Sequence, residues 1–286
     1  MKIQFTKMHG TGNDFVLINC MEQKCPSDKN VLAELSKRLC DRRFGIGADQ
    51  FLLLSRSKKA DFKMRIFNAD GSEVEMCGNG IRCLAKYIWD RKLSRKTVLD
   101  IETLAGIIKP EKARNMVKVD MGEPIFEPES IPVKISPLNK GGSRVGIVDY
   151  PLKIADKTFR ITCVSMGNPH AVIFIDDVLN FQVSKYGPLI ETHPIFPKKT
   201  NVEFIEVLSA GEIRMRVWER GSGETLACGT GACASAAASH IRGFTNRKVK
   251  VHLLGGDLLV DWAENNRIYM TGPAVAVFEG AIDIDA

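Results

Sequence analysis

Two cysteines in this chain of 286 residues occupy settings in which a thiol can do acid–base work. Cys228 closes the stretch Glu219-Arg220-Gly221-Ser222-Gly223-Glu224-Thr225-Leu226-Ala227 and is followed by Gly229-Thr230-Gly231. The alternation Arg214-Met215-Arg216-Val217-Trp218 before it predicts a strand, and the alanine-rich run from Ala232 to His240 predicts a helix. A cysteine at such a helix start lies among unpaired backbone N–H groups and partial positive charge. That setting lowers a thiol pKa and also offers a cradle for a carboxylate.

The same arrangement occurs twice. Met64 through Gly80 aligns without a gap on Met215 through Gly231, an offset of 151 residues that carries Cys77 onto Cys228. A helix pattern again follows, with Ile81, Leu84, Ala85 and Ile88 at helical spacing. Asn115 falls on Asn266 at the same offset, and Gly106 and Gly122 fall close to Gly256 and Gly272. The chain reads as two copies of one unit, each contributing one cysteine.

Two thiols from pseudo-symmetric halves suit a reaction with mirror-image demands. If the halves face each other across a cleft, one cysteine removes a proton as thiolate and the other supplies one as thiol from the opposite side. That is racemisation or epimerisation at a carbon beside a carboxylate. The weakly acidic α-proton requires fixed donors to stabilise the developing enediolate, and helix N-termini provide them. Gly78 and Asn79, with Gly229 and Thr230, are the predicted carboxylate cradle. No pyridoxal-type lysine motif, dinucleotide fingerprint or metal cluster competes for the electron-sink role, so no cofactor and no metal are expected.

Composition sets the bounds. Hydrophobic residues make up 44% and charged residues 26%, an ordinary globular balance. No apolar run reaches the roughly 18 residues of a membrane span, and the start of the chain lacks the pattern of a signal peptide, so a soluble cytoplasmic protein is expected. The net charge of +6 is dispersed and aromatic residues are 7%, which reads as a solvated surface and not as a nucleic-acid interface. Of eight cysteines, Cys20, Cys25, Cys40, Cys83, Cys163 and Cys233 lie in apolar or helical surroundings and read as packing residues. Cys77 and Cys228 are left with a chemical setting.

The elements that must position them follow in order. Strands on either side of Met8-His9-Gly10-Thr11-Gly12-Asn13-Asp14 aim the Asn13 amide sideways, although an Asx-turn residue is the plainer reading of Asn13. Asp28 or Ser27 caps a helix that carries Leu32, Leu35 and Leu39 and ends near Gly45. Gln50 then opens the strand Phe51 to Leu54. Pro124, Pro128, Pro132, Pro137 and Gly141-Gly142 mark a crossover between domains. The second copy repeats the plan, with Asn168 in the turn Met166-Gly167-Asn168-Pro169-His170 and Asn201 opening a strand. Ala274 to Ile284 is a last strand predicted to return to the first domain. The expected fold class is α+β, with two pseudo-symmetric domains, each a curved, mostly antiparallel sheet or barrel around a central helix. The expected boundaries are 1–125, completed by 275–286, and 126–274, with the active site in the cleft between them.

At these residues the chain resembles the diaminopimelate epimerase family. The resemblance is carried by Asn68-Ala69-Asp70-Gly71-Ser72-Glu73 through Cys83 and by Glu219-Arg220-Gly221 through Ala232. It extends to Lys7 through Phe15, Phe44 through Gln50, Met166 through His170 and Asn201 through Phe204. Thr11, Met76 and Ser222 depart from the family's common choices, and none is a proposed catalytic group. The resemblance implies a pyridoxal-independent enzyme that interconverts LL- and meso-2,6-diaminopimelate for lysine and peptidoglycan precursors, with diaminopimelate as its small-molecule partner and a homodimer as a candidate assembly. By motif matching, Cys77 and Cys228 are the acid–base pair, with Cys228 assigned as acceptor from the LL isomer. Asn13, Asn68, Asn168, Asn201, Glu219 and Arg220 would bind substrate, and Gln50 would line the site. His170 and Glu219 would position the reacting ammonium or tune a thiol; a histidine merely filling the turn after Pro169 is the alternative for His170. Proline racemase-like enzymes share the architecture and the two cysteines, but their substrate lacks a distal amino acid that would use the asparagines and Arg220. Phenazine-type isomerases lack the cysteine pair. A thiol-redox protein and a binding module are the remaining alternatives.

Overall fold

The computed structural model describes residues 2–134 and 146–283, so Pro137, Gly141-Gly142 and Ile284 of the sequence reading lie outside the described residues. The chain divides into two compact units, Met1–Asp120 with Thr271–Ala286, and Met121–Met270.

The first unit begins with the strands β1 (Lys2–Gly10) and β2 (Asn13–Asn19), followed by α1 (Lys29–Cys40). It continues through β3 (Gln50–Ser55), β4 (Phe62–Asn68), β5 (Glu73–Val74) and α2 (Gly78–Asp90). The short strands β6 (Ile101–Thr103), β7 (Gly106–Ile108), β8 (Glu111–Ala113) and β9 (Met116–Asp120) complete its N-terminal part. The second unit contains β10 (Tyr150–Ile154), β11 (Lys157–Ser165), β12 (Pro169–Phe174), α3 (Val183–Glu191), β13 (Asn201–Ser209) and β14 (Glu212–Glu219). β15 (Gly223–Thr225), α4 (Gly229–Ile241), β16 (Lys248–Leu253), β17 (Gly256–Trp262) and β18 (Ile268–Gly272) follow, and β19 (Val275–Asp283) belongs to the first unit.

In the first unit the strand order is β19-β1-β2-β3-β4-β6-β7, with β5 paired to β4; in the second it runs β10-β11-β12-β13-β14-β16-β17-β18, with β15 paired to β14. Seven strands correspond in order, β19-β1-β2-β3-β4-β6-β7 with β10-β11-β12-β13-β14-β16-β17, which is the internal repeat realised as structure. β19 pairs antiparallel with β1 just as β10 pairs with β11. The last strand returns to the first unit, as expected, and its counterpart β10 stands before the second copy instead of after it. The fold is α+β, with mixed sheets: β2–β3 and β4–β6 are parallel, as are β12–β13 and β14–β16. The first sheet has free ends at β19 and β7, so among the described residues it is an open sheet and not a closed barrel.

Each sheet carries a helix on both faces, so its central strands are buried on both sides and read as continuous apolar runs. α1 buries Leu32, Leu35, Leu39 and Cys40 against Val16, Ile18, Phe51, Leu53 and Phe67. Its cap is Asp28, whose Oδ1 accepts from the Asn30 and Val31 N–H groups. It stops at Cys40, short of Gly45, because Asp41 turns extended and its carboxylate accepts from Arg43 and Phe44 N–H. Gly45 sits so close to the end of α1 that a Cβ would lie 2.1 Å from the Arg38 carbonyl oxygen. In the second unit α3 plays the same part, with Val183, Tyr186 and Ile190 in a core with Ile161, Ile173, Val202 and Phe204.

The central helices are α2 and α4. α2 touches β1, β2, β3, β4 and β19, and α4 touches β11, β12, β13, β14, β16 and β17. α4 buries nearly every residue, and its small side chains, Ala232, Ala234, Ala236, Ala237 and Ala238 among them, let it lie close to six strands. Replacing the fully buried Ala237 by leucine should destabilise the protein by about 1–3 kcal/mol through overpacking, read as a lower midpoint in urea unfolding.

Candidate active site

Both cysteines are the N-caps of the central helices. Cys77 has an extended backbone and its Sγ accepts from the Gly80 N–H at 3.5 Å; Cys228 does the same with the Gly231 N–H at 3.4 Å. Gly78 and Asn79, and Gly229 and Thr230, form the first turns behind them. The predicted strand, turn and helix are present, with one addition: Glu73–Val74 and Gly223–Thr225 pair back onto β4 and β14 before the helix begins.

In the first unit the amide side chains gather around Cys77 through register. Phe15 of β2 lies opposite Gln50 of β3, and Gln50 lies opposite Asn68 of β4, so Asn13, Gln50 and Asn68 emerge at one end of three adjacent strands. The Cys77 thiol donates toward Asn13 Oδ1 at 3.9 Å, and Gln50 Nε2 donates to Asn68 Oδ1 at 2.8 Å. Gln50 Oε1 and Asn79 Oδ1 are buried acceptors without a hydrogen bond. Such orphans are suited to an incoming ammonium or N–H group.

In the second unit His170 lies opposite Asn201. Asn201 Nδ2 donates to the Pro169 carbonyl at 2.8 Å and its Oδ1 accepts from the Arg220 N–H at 3.0 Å. The Arg220 side chain is exposed and donates to the Lys198 carbonyl at 3.4 Å. Asn168 Nδ2 donates to Thr230 Oγ1 at 3.3 Å, and Thr230 Oγ1 lies 3.5 Å from Cys228 Sγ. His170 does more than fill a turn. Fully buried, its Nε2 is 2.9 Å from Asn168 Oδ1 and its Nδ1 is 2.7 Å from Glu203 Oε1. Glu219 accepts from the Thr225 hydroxyl and is hydrogen-bonded to the Cys228 thiol.

The electrostatics of Cys228 differ from the sequence expectation of a lowered thiol pKa. Burial, then the Glu219 and Glu203 carboxylates, push the Cys228 thiol well above its ordinary value, outweighing the Thr230 hydroxyl and the Gly231 N–H. Burial likewise raises Glu219, against the hydrogen bonds from Thr225 and Cys228. Both shifts favour the protonated forms of the two groups, and a cationic group placed beside them would oppose both shifts.

Residue-type reasoning passed over Glu203 and a cluster in the first unit. Glu203 sits inside the apolar run from Val202 to Ile205, and a charge at a buried strand position was the available signal. In the first unit Lys7, Asp14, Arg42 and Asp49 form a linked set of ion pairs beside Asn13. Burial alone would raise the Asp14 carboxyl, but hydrogen bonds from Arg42, Lys7 and the Asp49 N–H hold it well below the carboxylate range.

The pseudo-symmetric α+β fold defines a class shared with a phenazine biosynthesis protein of the PhzF family from Bacillus anthracis. That structure matches at a TM-score of 0.71 and 16% identity, covering 99% of this chain and 100% of its own. Within that class the chain belongs to the diaminopimelate epimerase family, whose model matches residues 5–127 and 162–277. It is similar to the diaminopimelate epimerase of Moorella thermoacetica, 53% identical over 289 residues with 99% of this chain and 100% of that one covered. The same enzyme from Acetivibrio thermocellus is 51% identical over 290 residues, covering 99% of each chain.

Two outcomes test this electrostatic picture. Asp14, lowered in the folded state, contributes stability at every pH above the ordinary carboxylate value of about 4 and loses it as pH falls through the lower folded value. Asp14→Asn should therefore destabilise by roughly 3 kcal/mol at pH 7, with the gap from the parent closing in strong acid, measured by denaturant unfolding across pH. At the second thiol, Glu219→Gln removes the nearest negative charge. Cys228 should then be alkylated faster by iodoacetamide at neutral pH than in the parent, read by peptide mass spectrometry.

Proposed function

We infer that this protein interconverts LL- and meso-2,6-diaminopimelate by cofactor-independent proton transfer at one α-carbon, on the route to lysine and peptidoglycan precursors. The observation that carries the reading is the paired cysteine N-cap, repeated with the same main-chain contact in two units of one family-typical chain. Cys77 and Cys228 are the acid–base pair. One sulfur, as thiolate, takes the α-proton; the C–H electron pair is left on the α-carbon, delocalised into the carboxylate, and then takes the proton of the other thiol on the opposite face. The backbone N–H groups of Gly78, Asn79, Gly229 and Thr230 receive the negative charge that develops on the carboxylate. Because they are fixed by the helices, no reorganisation is needed during the reaction.

The distal amino acid of the substrate accounts for the remaining polar groups. Arg220 pairs with its carboxylate, while Asn13, Gln50, Asn68, Asn168 and Asn201 supply acceptors and donors for its ammonium and carboxylate. Glu219 faces the reacting ammonium, and His170 holds Asn168. Burial and then the neighbouring carboxylates hold the proton on Cys228; an ammonium beside Glu219 offsets the carboxylate part, so substrate binding favours Cys228 as base on the LL isomer, with Cys77 donating. A shorter substrate would leave buried amides unpaired and be rejected.

The place of action is the cytoplasm, which suits eight cysteines none of which forms a disulfide, and no helix among the described residues is long and apolar enough to cross a membrane. The assembly is a homodimer; edge strand β19 exposes Val275, Val277 and Phe278 at 44%, 55% and 48%, the kind of edge that a second copy covers.

The test is proton NMR of LL-diaminopimelate with reduced protein in D₂O. Loss of one α-proton signal as the meso isomer appears is the expected result; exchange of proline instead would move the chain to the racemase branch. Cys77→Ser and Cys228→Ser should each lower turnover by two or more orders of magnitude, in the range of lost acid–base catalysis. Cys77→Ser should still exchange the α-proton of the LL isomer without forming meso product.

A further inference from the structure

We propose that Asp49 is a positioning residue for Cys77, acting through the amide of Asn13. The inference deepens the epimerase reading and rests on it for the role of Cys77. An asparagine amide can present either its oxygen or its N–H₂ to a neighbour, and the two faces act on a thiol in opposite ways. An oxygen accepts the S–H and holds the proton on sulfur; an N–H₂ stabilises the thiolate. Asp49 decides between them. Its Oδ2 accepts from Asn13 Nδ2 at 3.1 Å, and a carboxylate can only accept. The Asn13 oxygen is thereby turned to the other side, where it faces Cys77 Sγ at 3.9 Å.

Asp49 is itself held from several directions, which makes it a fixed reference for the amide. The same Oδ2 accepts from the Asp14 N–H at 3.1 Å, and Oδ1 accepts from Arg42 Nη2 at 2.7 Å. Arg42 grips both oxygens of Asp14, at 3.0 and 2.8 Å. Lys7 closes the set with Asp14 Oδ2 at 2.7 Å and the Gly47 carbonyl. The Asp49 N–H returns to Asp14 Oδ1 at 2.8 Å. Two cations and two carboxylates thus neutralise one another beside the strand starts, and one bond leaves the cluster toward the thiol. Asp49 is partly exposed, at 43% of its side chain, so as a purely structural ion pair with Arg42 it would contribute little. Its bond to Asn13 gives the position a consequence for chemistry.

The experiment is a double-mutant cycle on Asn13 and Asp49, read by the iodoacetamide alkylation rate of Cys77 at pH 7 with peptide mass spectrometry and by kcat with diaminopimelate. Asp49→Ala should accelerate Cys77 alkylation roughly threefold or more, as expected for loss of one hydrogen bond to the thiol, and should lower kcat. Asn13→Ala should do the same, and the double variant should match Asn13→Ala alone. Arg42→Met, which breaks the ion pair but leaves the Asn13 bond, should leave the alkylation rate close to the parent's. Unchanged alkylation in Asp49→Ala, an effect that persists undiminished in the Asn13→Ala background, or an equal effect of Arg42→Met would overturn the proposal. If Asp49→Ala does not fold, the apolar, similarly sized Asp49→Leu, which likewise has no acceptor for Asn13, carries the same cycle. Alkylation is read without substrate, so a parent inactive on diaminopimelate would sink the epimerase reading while leaving this cycle to stand or fall separately.

Discussion

A sulfur atom is a weak cap for a helix. Serine, threonine, aspartate and asparagine fill that position with stronger acceptors, yet both central helices here begin on cysteine, with Gly80 and Gly231 donating their N–H groups to it. The arrangement survives because the helices do not depend on their caps. α2 and α4 are buried against five and six strands of their sheets, so tertiary packing supplies the stability that a thiol cap does not. What the cap supplies is position, since a sulfur tied to the first turn stands beside the unpaired N–H groups that can receive a carboxylate. The sheets, the flanking helices α1 and α3 and the hairpins β4–β5 and β14–β15 all serve to hold that turn.

The two copies of the motif are alike in backbone and unlike in electrostatics. In the first unit the glycine three residues into the motif lies against apolar atoms: a Cβ on Gly80 would be 3.3 Å from Leu52 and 3.4 Å from Phe15. In the second the matching glycine lies against charge, with a Cβ on Gly231 only 2.7 Å from Glu203 Oε1. The register explains the exchange. Phe15 and His170 occupy the same place in their sheets, opposite Gln50 and Asn201, so the buried pair Phe15 and Leu52 is replaced by His170 and Glu203. A fold that repeats its scaffold has varied what lies beneath its thiols. For a pair proposed to exchange roles while handling two different isomers, unequal surroundings are a physical means of setting which sulfur holds the proton at rest.

Polar groups follow the same division. Beside Cys77 the Asn13 amide is oriented by an ion-pair cluster on the strand starts; beside Cys228 the Asn168 amide is oriented by the buried His170, itself held by Glu203. Both devices orient an asparagine, and an oriented amide can distinguish an ammonium from a carboxylate, which a freely rotating one cannot.

Much of this was legible in the chain. The repeat at one offset, the cysteine between a glycine turn and a helix, the amides at strand starts and the α+β class all follow from local chemistry and periodicity, which act between residues a few positions apart. The family signatures lie in those same stretches. The end of α1 was misplaced because the Asp41 side chain, and not Gly45, terminates it. The equivalence of β19 with β10 was missed because strand pairing joins residues far apart in sequence. Glu203 and Asp49 were passed over for a similar reason. Their importance comes from partners 33 and 36 residues away, brought within hydrogen-bond reach only when parallel strands align. The sequence by itself determined which side chains could carry the chemistry and where each helix would present them. Tertiary structure alone decided the direction of the Cys228 pKa shift, because desolvation and neighbouring carboxylates are properties of the packed interior, and there they outweigh the helix terminus that the local sequence announced.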